Sequence, residues 1–270
     1  MVRSLWTAAS GMMSQQTNVD TISNNLANIN TTGFKKESAE FKSLLYQTIQ
    51  DQSYDNNGDV KPSGIQVGLG VRNSAINSQY TQGTLSETGN DFDLAINGKG
   101  FFMVETSDGS VAYTRNGSFQ VSMGTEGAVL ATSDGNPVLD TAGEPIVFDA
   151  NTNTSDIKIN EDGQICYPDE TGTSVPTGVQ VGVAQFNNPT GLLKLSNSLL
   201  RETDASGTVR MEAADAALKK SKIQQGYLEG SNVQAVDEMV NLIVAQRAYE
   251  MSSKIITAAD EMMQQANNLR

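Results

Sequence analysis

Residues 4–33 read SLWTAASGMMSQQTNVDTISNNLANINTTG, and this stretch decides the first element of the fold. It contains one charged residue, Asp20, and no proline. Apolar side chains recur in it every three or four residues, a spacing that keeps them on one face of a helix. The positions of this stripe, of which only Gln15 is polar, are Leu5, Ala8, Met12, Gln15, Val19, Ile22, Leu26 and Ile29. The sequence therefore predicts a long N-terminal helix, and the period of about 3.5 is typical of helices wound around each other.

A second stripe with the same spacing lies near the C-terminus. Its positions are Val233, Val236, Val240, Val244, Ala248, Met251, Ile255, Ala258, Met262, Ala266 and Leu269. No glycine or proline follows Gly230, and Ser231 or Asn232 is predicted to cap the helix start. At a rise of about 1.5 Å per residue, this helix would span about 54 Å, much more than an average globular helix.

The middle of the chain, roughly residues 90–190, has the period of strands. FDLAIN and GVQVGVAQ alternate apolar and polar residues, while GFFMVE, SVAYTR and PIVF are short apolar runs. Between such runs lie dipeptides that favour tight hairpin turns, namely Asn97-Gly98, Asp108-Gly109, Asn116-Gly117, Asp134-Gly135 and Asp162-Gly163. Short strands joined by such turns predict an antiparallel β domain, either a sandwich or barrel-like.

The predicted fold class is therefore α+β. Long N- and C-terminal helices pair in a coiled-coil-like helical domain, built from residues 1–33 and 229–270, and an antiparallel all-β domain is inserted between them. Residues 34–75 are predicted to connect the two parts, as a continuation of the first helix followed by an extended loop. Residues 76–228 form the β-rich domain. The helical continuation rests on the 3-4 spacing of Phe41, Leu44, Leu45 and Ile49.

The composition excludes several classes of function. The chain has 31 acidic and 18 basic residues, a net charge of -13 that disfavours nucleic-acid binding. It has no histidine, which removes the commonest general base and metal ligand. The single cysteine, Cys166, cannot form an intrachain disulfide and is expected to be a small buried hydrophobe.

Recognisable chemical motifs are also missing. NGKGFF at residues 97–102 lacks the spacing of a phosphate-binding loop, and Asp91 and Asp93 have no further ligands at a metal-binding spacing. We therefore predict no catalytic residue, cofactor or metal. No apolar run reaches the length of about 20 residues that a membrane span needs, and residues 1–20 lack the apolar centre of a secretory signal. We expect no membrane insertion, and export without a cleaved signal peptide.

The two helical stripes allow two interpretations. The helices pack only on each other within one molecule, or they also pack against neighbouring copies. The stretch at residues 4–33 is poor in charge on more than one face, which favours assembly. Asn24, Asn25 and Asn28 would then face neighbouring subunits, where an amide is tolerated better than a charge. The predicted assembly residues are Leu5, Ala8, Met12, Val19, Ile22, Leu26, Ile29, Val233, Val236, Val240, Val244, Ala248, Met251, Ile255 and Met262.

Three long motifs resemble one known family. SLWTAASGMMSQQTNVDTISNNLANINTTGFKK and GYLEGSNVQAVDEMVNLIVAQRAYEMSSKIITAADEMMQQANNL resemble the terminal signatures of the bacterial flagellar rod and hook family. DLAINGKGFFMVETSDGSVAYTRNGSFQV resembles the β domain of the same family. The signature residues are Asn24, Asn25, Leu26, Ala27, Asn28, Gly33, Phe34, Gln246, Arg247, Ala248 and Tyr249.

The resemblance implies a structural subunit that assembles helically around a channel and transmits motor torque. It is closest to the family's distal rod branch, with proximal rod and hook subunits as alternatives. Implied partners are other copies of the chain, proximal rod and hook proteins, the ring bushing of the envelope and the flagellar type III export machinery. The implied location is the basal body in the cell envelope, within the periplasmic space. A different class of function, a β-domain module for ligand binding or adhesion with an oligomerising helical hairpin, stands as the competing hypothesis.

Overall fold

A computed structural model describes most of the chain and divides it into two compact units. The described residues are 2–50, 64–123, 127–148, 157–168, 174–215 and 217–268. Unit 1 consists of Met1–Ala27, Glu37–Ser78 and Gln234–Arg270, and unit 2 consists of Asn28–Lys36 and Gln79–Val233. The chain therefore crosses between the units four times. These boundaries differ from those expected at 33/34, 75/76 and 228/229, since most of the predicted connector belongs to unit 1.

Unit 1 contains the two long helices and two antiparallel strand pairs. The helices are α1, Val2–Ala27, and α2, Ala235–Asn268. The strands are β1 (Glu37–Ser43), β2 (Tyr46–Gln50), β3 (Ile65–Gly68) and β4 (Val71–Ser78). β1 pairs with β4 and β2 pairs with β3, while α1 packs against α2, β1 and β4. The predicted pairing of the terminal helices in one unit is thus present. Its coiled-coil geometry stays a prediction.

Small and polar residues form the buried side of α2. Glu238, Ala245 and Ala259 are its buried residues, and Ser252 is half-buried at the remaining step of the same seven-residue spacing. A side chain added at Gly11 of α1 would lie 3.5 Å from the Ser252 Oγ. At this point the two helices therefore meet through a glycine and a short side chain, which allow close approach of their backbones.

The predicted continuation of the first helix is wrong. Phe41 lies in β1, and Ile49 lies in β2. Leu44 and Leu45 lie between the two strands, where the Leu44 N–H donates to the Gly70 carbonyl and the Leu69 N–H donates to the Leu45 carbonyl. Pairing with β4 and β3 therefore outweighs the helical spacing of the apolar residues. The loop expected after Ile49 lies mainly in residues 51–63, outside the described residues.

The helix ends also differ from the prediction. α1 ends at Ala27, so Ile29 lies in the turn that follows, and α2 begins at Ala235, so Val233 precedes the helix. Asn232 does not cap α2, because its side chain binds the backbone of other segments of unit 2. The two predicted assembly positions Ile29 and Val233 therefore lie outside the helices, in unit 2.

Unit 2 is an antiparallel β structure, and its described residues include a 3-10 turn at Pro189–Gly191. Its strands are β5 (Leu85–Glu87), β6 (Leu94–Asn97), β7 (Phe101–Glu105), β8 (Val111–Thr114), β9 (Phe119–Met123), β10 (Ala128–Thr132), β11 (Val147–Phe148), β12 (Lys158–Ile159), β13 (Gln164–Pro168), β14 (Ser174–Gln180), β15 (Val183–Gln185), β16 (Leu193–Lys194), β17 (Leu199–Arg201), β18 (Arg210–Met211), β19 (Lys222–Gln225) and β20 (Tyr227–Glu229).

These strands form open sheets rather than a closed barrel. The largest has six strands in the order β16-β17-β8-β7-β15-β18. Two three-stranded sheets have the orders β11-β10-β9 and β12-β13-β14, and the pairs β19-β6 and β20-β5 complete the unit. The prediction of an α+β fold with a β-rich middle is confirmed, and its barrel-like variant is not.

Strand β7 explains why FFMV is a continuous apolar run. Phe102 and Val104 point into one buried cluster with Leu130 and Phe148. Phe101 and Met103 point to the opposite face, into a second cluster. The residues packed with them there are Tyr113, Leu139, Ala184 and Leu192. A strand covered on both faces needs apolar residues at successive positions rather than at alternate ones.

Some of the predicted turn dipeptides join paired strands, and one does not. Asp108-Gly109 joins the paired strands β7 and β8, and Asp162-Gly163 joins β12 and β13, as predicted. Asn116-Gly117 is not a hairpin tip, because β8 pairs with β7 and β17 whereas β9 pairs with β10. Gly117 is required for another reason: a side chain there would lie 1.7 Å from the Leu94 carbonyl oxygen.

The expected burial of Cys166 is confirmed.

Candidate functional site: the exposed apolar face of the C-terminal helix

Most predicted assembly positions on α2 are exposed to solvent in the single chain. The side chains of Val236 and Val244 are 73% and 62% exposed, and Met251 is 60% exposed. Val240, Ile255 and Met262 are also at least half exposed, whereas Ala248 is half-buried. The stripe read from the sequence therefore faces away from the interior of unit 1.

Further large apolar residues extend this surface. Met239 and Ile243 are exposed on the same helix, and the sequence stripe did not include them. Each lies one position beside a stripe residue, so a wider apolar arc in the helical pattern could have identified them. Tyr249 and Met263 are also exposed, but each lies four residues after a buried alanine, beside the buried side of the helix. We define the apolar band as Val236, Met239, Val240, Ile243, Val244, Met251, Ile255 and Met262. At about 1.5 Å per residue it extends over about 40 Å.

The stripe on α1 has the opposite orientation. Ala8 and Ile22 are buried, and Leu5, Met12, Val19 and Leu26 are half-buried. This face lies within unit 1, where α1 packs against α2, β1 and β4. The most exposed large apolar residues of α1 are instead Trp6 and Met13, which are 71% and 70% exposed and lie one residue beyond stripe positions. A 3-4 pattern identifies an apolar face without identifying which partner covers it.

Asn25 is the signature residue whose role the structure makes clearest. Its side chain is buried, and its amide pairs with the backbone of Glu37: Nδ2 donates to the Glu37 carbonyl and Oδ1 accepts from the Glu37 N–H, both at 2.8 Å. The Nδ2 group also donates to Glu238 Oε2 at 3.1 Å. The expectation that Asn25 faces a neighbouring subunit is therefore wrong, because this amide joins α1, β1 and α2 inside unit 1.

The other N-terminal signature residues lie around the end of α1. Asn24 and Ala27 are exposed, and Leu26 is half-buried. Beyond the helix, Asn28 accepts hydrogen bonds from Thr31 through both its carbonyl and its Oδ1. The set is completed by the half-buried Phe34 and by Gly33, which has a φ of 70°.

The C-terminal signature residues lie on α2. Gln246 and Tyr249 line a shallow groove together with Gln16 and Val19 of α1. Arg247 forms an exposed ion pair with Glu250, at 3.1 Å between Nη1 and Oε2. A pair this exposed contributes little to stability. The groove and the apolar band thus place the signature motif at the surface of unit 1.

Within the described part of the chain, no three or more acidic or cysteine side chains come together in a group that could hold a metal ion. No helix in the same residues is long and apolar enough to cross a membrane.

Comparisons with known proteins match three parts of the chain. Three family models match: flagella basal body rod protein at residues 5–35, flagellar hook protein FlgE/F/G D1 domain at residues 95–167, and flagellar basal body rod FlgEFG protein C-terminal at residues 224–269. The terminal models cover α1 and α2, and the central model covers part of the β structure.

Full-length relatives give the same result. The flagellar basal-body rod protein FlgG of Agrobacterium fabrum is 44% identical over 97% of both chains. The chain belongs to the flagellar basal-body rod protein family. The protein of the same name from Borreliella burgdorferi is 41% identical over 100% of this chain and 99% of its own. A flagellar hook-basal body complex protein, FlhP of Bacillus subtilis, is 33% identical over the full length of both.

Family membership confirms the resemblance seen in the sequence. The protein is a structural subunit of the flagellar basal-body rod family and not an enzyme. The competing hypothesis of a ligand-binding or adhesion module is therefore set aside.

Proposed function

We propose that this chain is a distal rod subunit whose copies assemble helically into a hollow shaft that transmits motor torque to the hook. The observation that carries this proposal is the apolar band on α2. Eight large apolar side chains stay exposed there although Ala245 and Ala259 of the same helix are buried. A monomer that remained alone would normally have the larger side chains inside.

The proposed occupant of the band is the surface of a second copy. Full burial of one Val, Ile or Met side chain contributes about 1.5 to 3 kcal/mol, so a band of this length supports strong association. Contacts between two different surfaces of the same chain do not close on themselves and generate a helical polymer. Trp6 and Met13 on α1 supply such a second apolar surface.

The stripe residues of α1 have a different proposed role. Because Ala8 and Ile22 are buried within unit 1, they hold α1 in place rather than contacting a neighbour. The proposed assembly surface therefore consists of the apolar band together with Trp6 and Met13. Close-packed interfaces of this kind deform little under load, which suits a shaft that carries torque.

Assignment to the distal branch rests on sequence segments around the strands of unit 1. FKSLLYQTIQ, from residue 41, and PSGIQVGLGVR, from residue 62, resemble the distal rod branch. A proximal rod or hook subunit of the same family is the alternative.

This assignment implies the partners and the location. Proximal rod and hook proteins would contact the two ends of the polymer, the envelope ring bushing would surround it, and the type III export machinery would deliver the subunits. The subunit would act in the periplasmic part of the basal body.

A charge placed in the apolar band tests the proposal. Val244→Lys puts an ammonium group in the middle of the band, where burial against a second copy would desolvate it. We expect the monomer to fold normally and polymer formation to be lost. Sedimentation velocity and electron microscopy measure assembly, and circular dichroism checks the helices.

Val244→Met is the matched control, because it changes the same exposed position without adding charge. It is expected to polymerise as the parent chain does. If Val244→Lys still forms straight polymers of normal stiffness, the band is not the assembly surface. Imaging the native polymer with its neighbours then separates the distal rod from the proximal rod and hook.

A further inference from the structure

A buried polar cluster in unit 2 joins segments that lie far apart in the sequence. We call it the clasp and define it as Lys35, Arg115, Glu229 and Asn232. The side chains of the three charged members are at most 5% exposed. None of the four belongs to the apolar band, so the proposed assembly does not explain them.

Glu229 is the centre of the clasp. Its Oε1 accepts hydrogen bonds from Lys35 Nζ at 2.6 Å and from the Gly83 N–H at 2.9 Å. Its Oε2 accepts from Arg115 Nη1 at 3.1 Å. The backbone carbonyl of Glu229 accepts from the Gly33 N–H at 2.8 Å. This single residue therefore binds the segment after α1, the segment after β4 and the end of β8.

The cations of the clasp have further partners. Lys35 Nζ also donates to the Thr81 carbonyl at 2.8 Å, and Arg115 Nη2 donates to the Gly98 carbonyl at 2.7 Å. The Arg115 guanidinium also lies 5.1 Å from the centre of the Phe101 ring. Burial lowers the pKa of both Lys35 and Arg115, and the nearby Glu229 carboxylate partly opposes that shift. Glu229 is thus the carboxylate that binds both buried cations, and Glu212 adds a smaller favourable charge near Arg115.

Asn232 adds a second junction. Its Oδ1 accepts from the Lys36 N–H at 2.6 Å, and its Nδ2 donates to the Gln79 carbonyl at 2.8 Å. The Gln79 N–H in turn donates to the Lys36 carbonyl at 2.8 Å. Lys36, Gln79 and Asn232, which lie next to crossings between the units, are therefore joined to one another.

Close backbone contacts around the clasp leave no room for a side chain at two glycines. A side chain at Gly33 would lie 2.6 Å from the carbonyl carbon of Arg115, and one at Gly83 would lie 2.0 Å from the Gly230 carbonyl oxygen. The φ of Gly33 is 70°, a conformation that residues with side chains rarely adopt. The clasp is thus built around glycines that permit backbone contact.

The position of the clasp in the chain indicates its role. The four crossings between units 1 and 2 occur after Ala27, Lys36, Ser78 and Val233. On the unit 2 side, these crossings lead directly into the segments that Glu229 and Asn232 bind. We infer that the clasp is a mechanical coupling, which makes the four crossings respond to force as one body. The coupling carries torque if the proposed rod function is correct, but it exists in the single subunit.

Hydrogen exchange on the unassembled full-length subunit tests the coupling. Glu229→Gln keeps the side-chain shape but removes the charge that holds Lys35 and Arg115. We expect amide protection at Gly33, Lys36 and Gln79 to fall together by about tenfold or more. Gln79 is the informative position, because its N–H bonds to Lys36 and not to Glu229.

Glu212→Gln is the matched control. Glu212 is also a buried carboxylate of unit 2, and its oxygens accept hydrogen bonds from the Ser221 N–H and from the side chains of Ser221 and Gln185. The Glu212 charge also favours the Arg115 cation, but less than Glu229 does. This variant should therefore lower protection at Ser221 and change the three clasp amides much less than Glu229→Gln does. If Glu229→Gln affects Gly83 alone, or if Glu212→Gln affects the clasp amides equally, the coupling is disproved.

Asn232→Ala keeps the test valid if the Glu229 variant does not fold. It removes the side-chain bridge that supports the direct Gln79–Lys36 backbone bond, without leaving a charge unpaired, and the same three amides should lose protection together. Protection that falls only at Lys36 would contradict the coupling.

A pulling experiment measures the force directly. Handles attached through Asp20→Cys in α1 and Asp108→Cys in the β7–β8 turn load three of the crossings. In the Glu229→Gln variant we expect residues 28–36 to extend at a lower force than in the parent chain. This early step should lengthen the molecule by at most about 30 Å, the extended length of those residues. An unchanged force–extension curve would overturn the coupling. Both measurements use single subunits, so their failure is distinct from a failure to form rods.

Discussion

The two units of this chain place their large apolar side chains in opposite ways. In unit 2, Phe101, Phe102 and Phe148 are fully buried. In unit 1, α2 buries alanines and exposes valines, isoleucines and methionines. Unit 2 therefore gains its stability from its own core, whereas the apolar band of unit 1 stays exposed within one chain. The difference indicates that folding and assembly depend on separate sets of residues.

Polar side chains reinforce this contrast. Around α1, the buried set includes Ser14, Thr21 and Asn25 besides Ala8 and Ile22. Such residues contribute less by burial than by hydrogen bonding, so they specify how the helices and strands fit together. Polar contacts thus hold the helices and strands of unit 1 together on the inside. The apolar side chains on its outer surface are available for contact with other molecules.

The largest expected effect comes from truncating the core of unit 2. Phe102→Ala removes a side chain that packs between strands and contacts the Phe119 ring at 5.1 Å between centroids. It should destabilise the monomer by about 3 to 5 kcal/mol. Val244→Ala, at an exposed position of the apolar band, should change monomer stability by no more than about 0.5 kcal/mol. Urea unfolding of both variants measures the difference, and similar losses would refute the contrast between the units.

The sequence predicted the elements with the longest regular patterns. The α1 and α2 stripes run through many turns of helix, and the FFMV run and the Asp108-Gly109 turn identified β7 and its hairpin. These signals are local, because spacing and turn chemistry depend on neighbours in the chain. The family resemblance rested on the same long segments.

Other features depend on contacts between distant residues and could not be predicted. Phe41 and Ile49 have helical spacing, but pairing with β4 and β3 places them in strands. Gly117 looked like a hairpin residue, although the Leu94 carbonyl is what excludes a side chain there. The clasp joins Lys35 to Glu229, 194 positions apart in the sequence. No periodicity could reveal that pair.

A pair of neighbouring positions on α2 sharpens the comparison within a single helix. Ala245 is buried and Val244 is exposed. Ala245→Leu should overpack the buried side of α2 and destabilise unit 1 by about 1 to 3 kcal/mol. Val244→Leu should leave the monomer unchanged and preserve or strengthen assembly. Thermal unfolding followed by the helical circular dichroism signal measures the first effect, and sedimentation measures the second. Equal effects at the two positions would mean that α2 has no distinct inner and outer faces.

The smallest expected effect concerns the amide that joins the elements of unit 1. Asn25→Ala removes both hydrogen bonds to the Glu37 backbone and the one to Glu238, so it should cost about 1 to 2 kcal/mol. Ser23→Ala, at an exposed position of the same helix, is the control and should be nearly neutral. Hydrogen exchange at the Glu37 amide should increase only in the Asn25 variant, because the Asn25 Oδ1 is its acceptor. If Asn25→Ala instead left the monomer intact and abolished assembly alone, the amide would act at the subunit interface. Polar residues would then belong to the outer surface of unit 1 as well as to its interior.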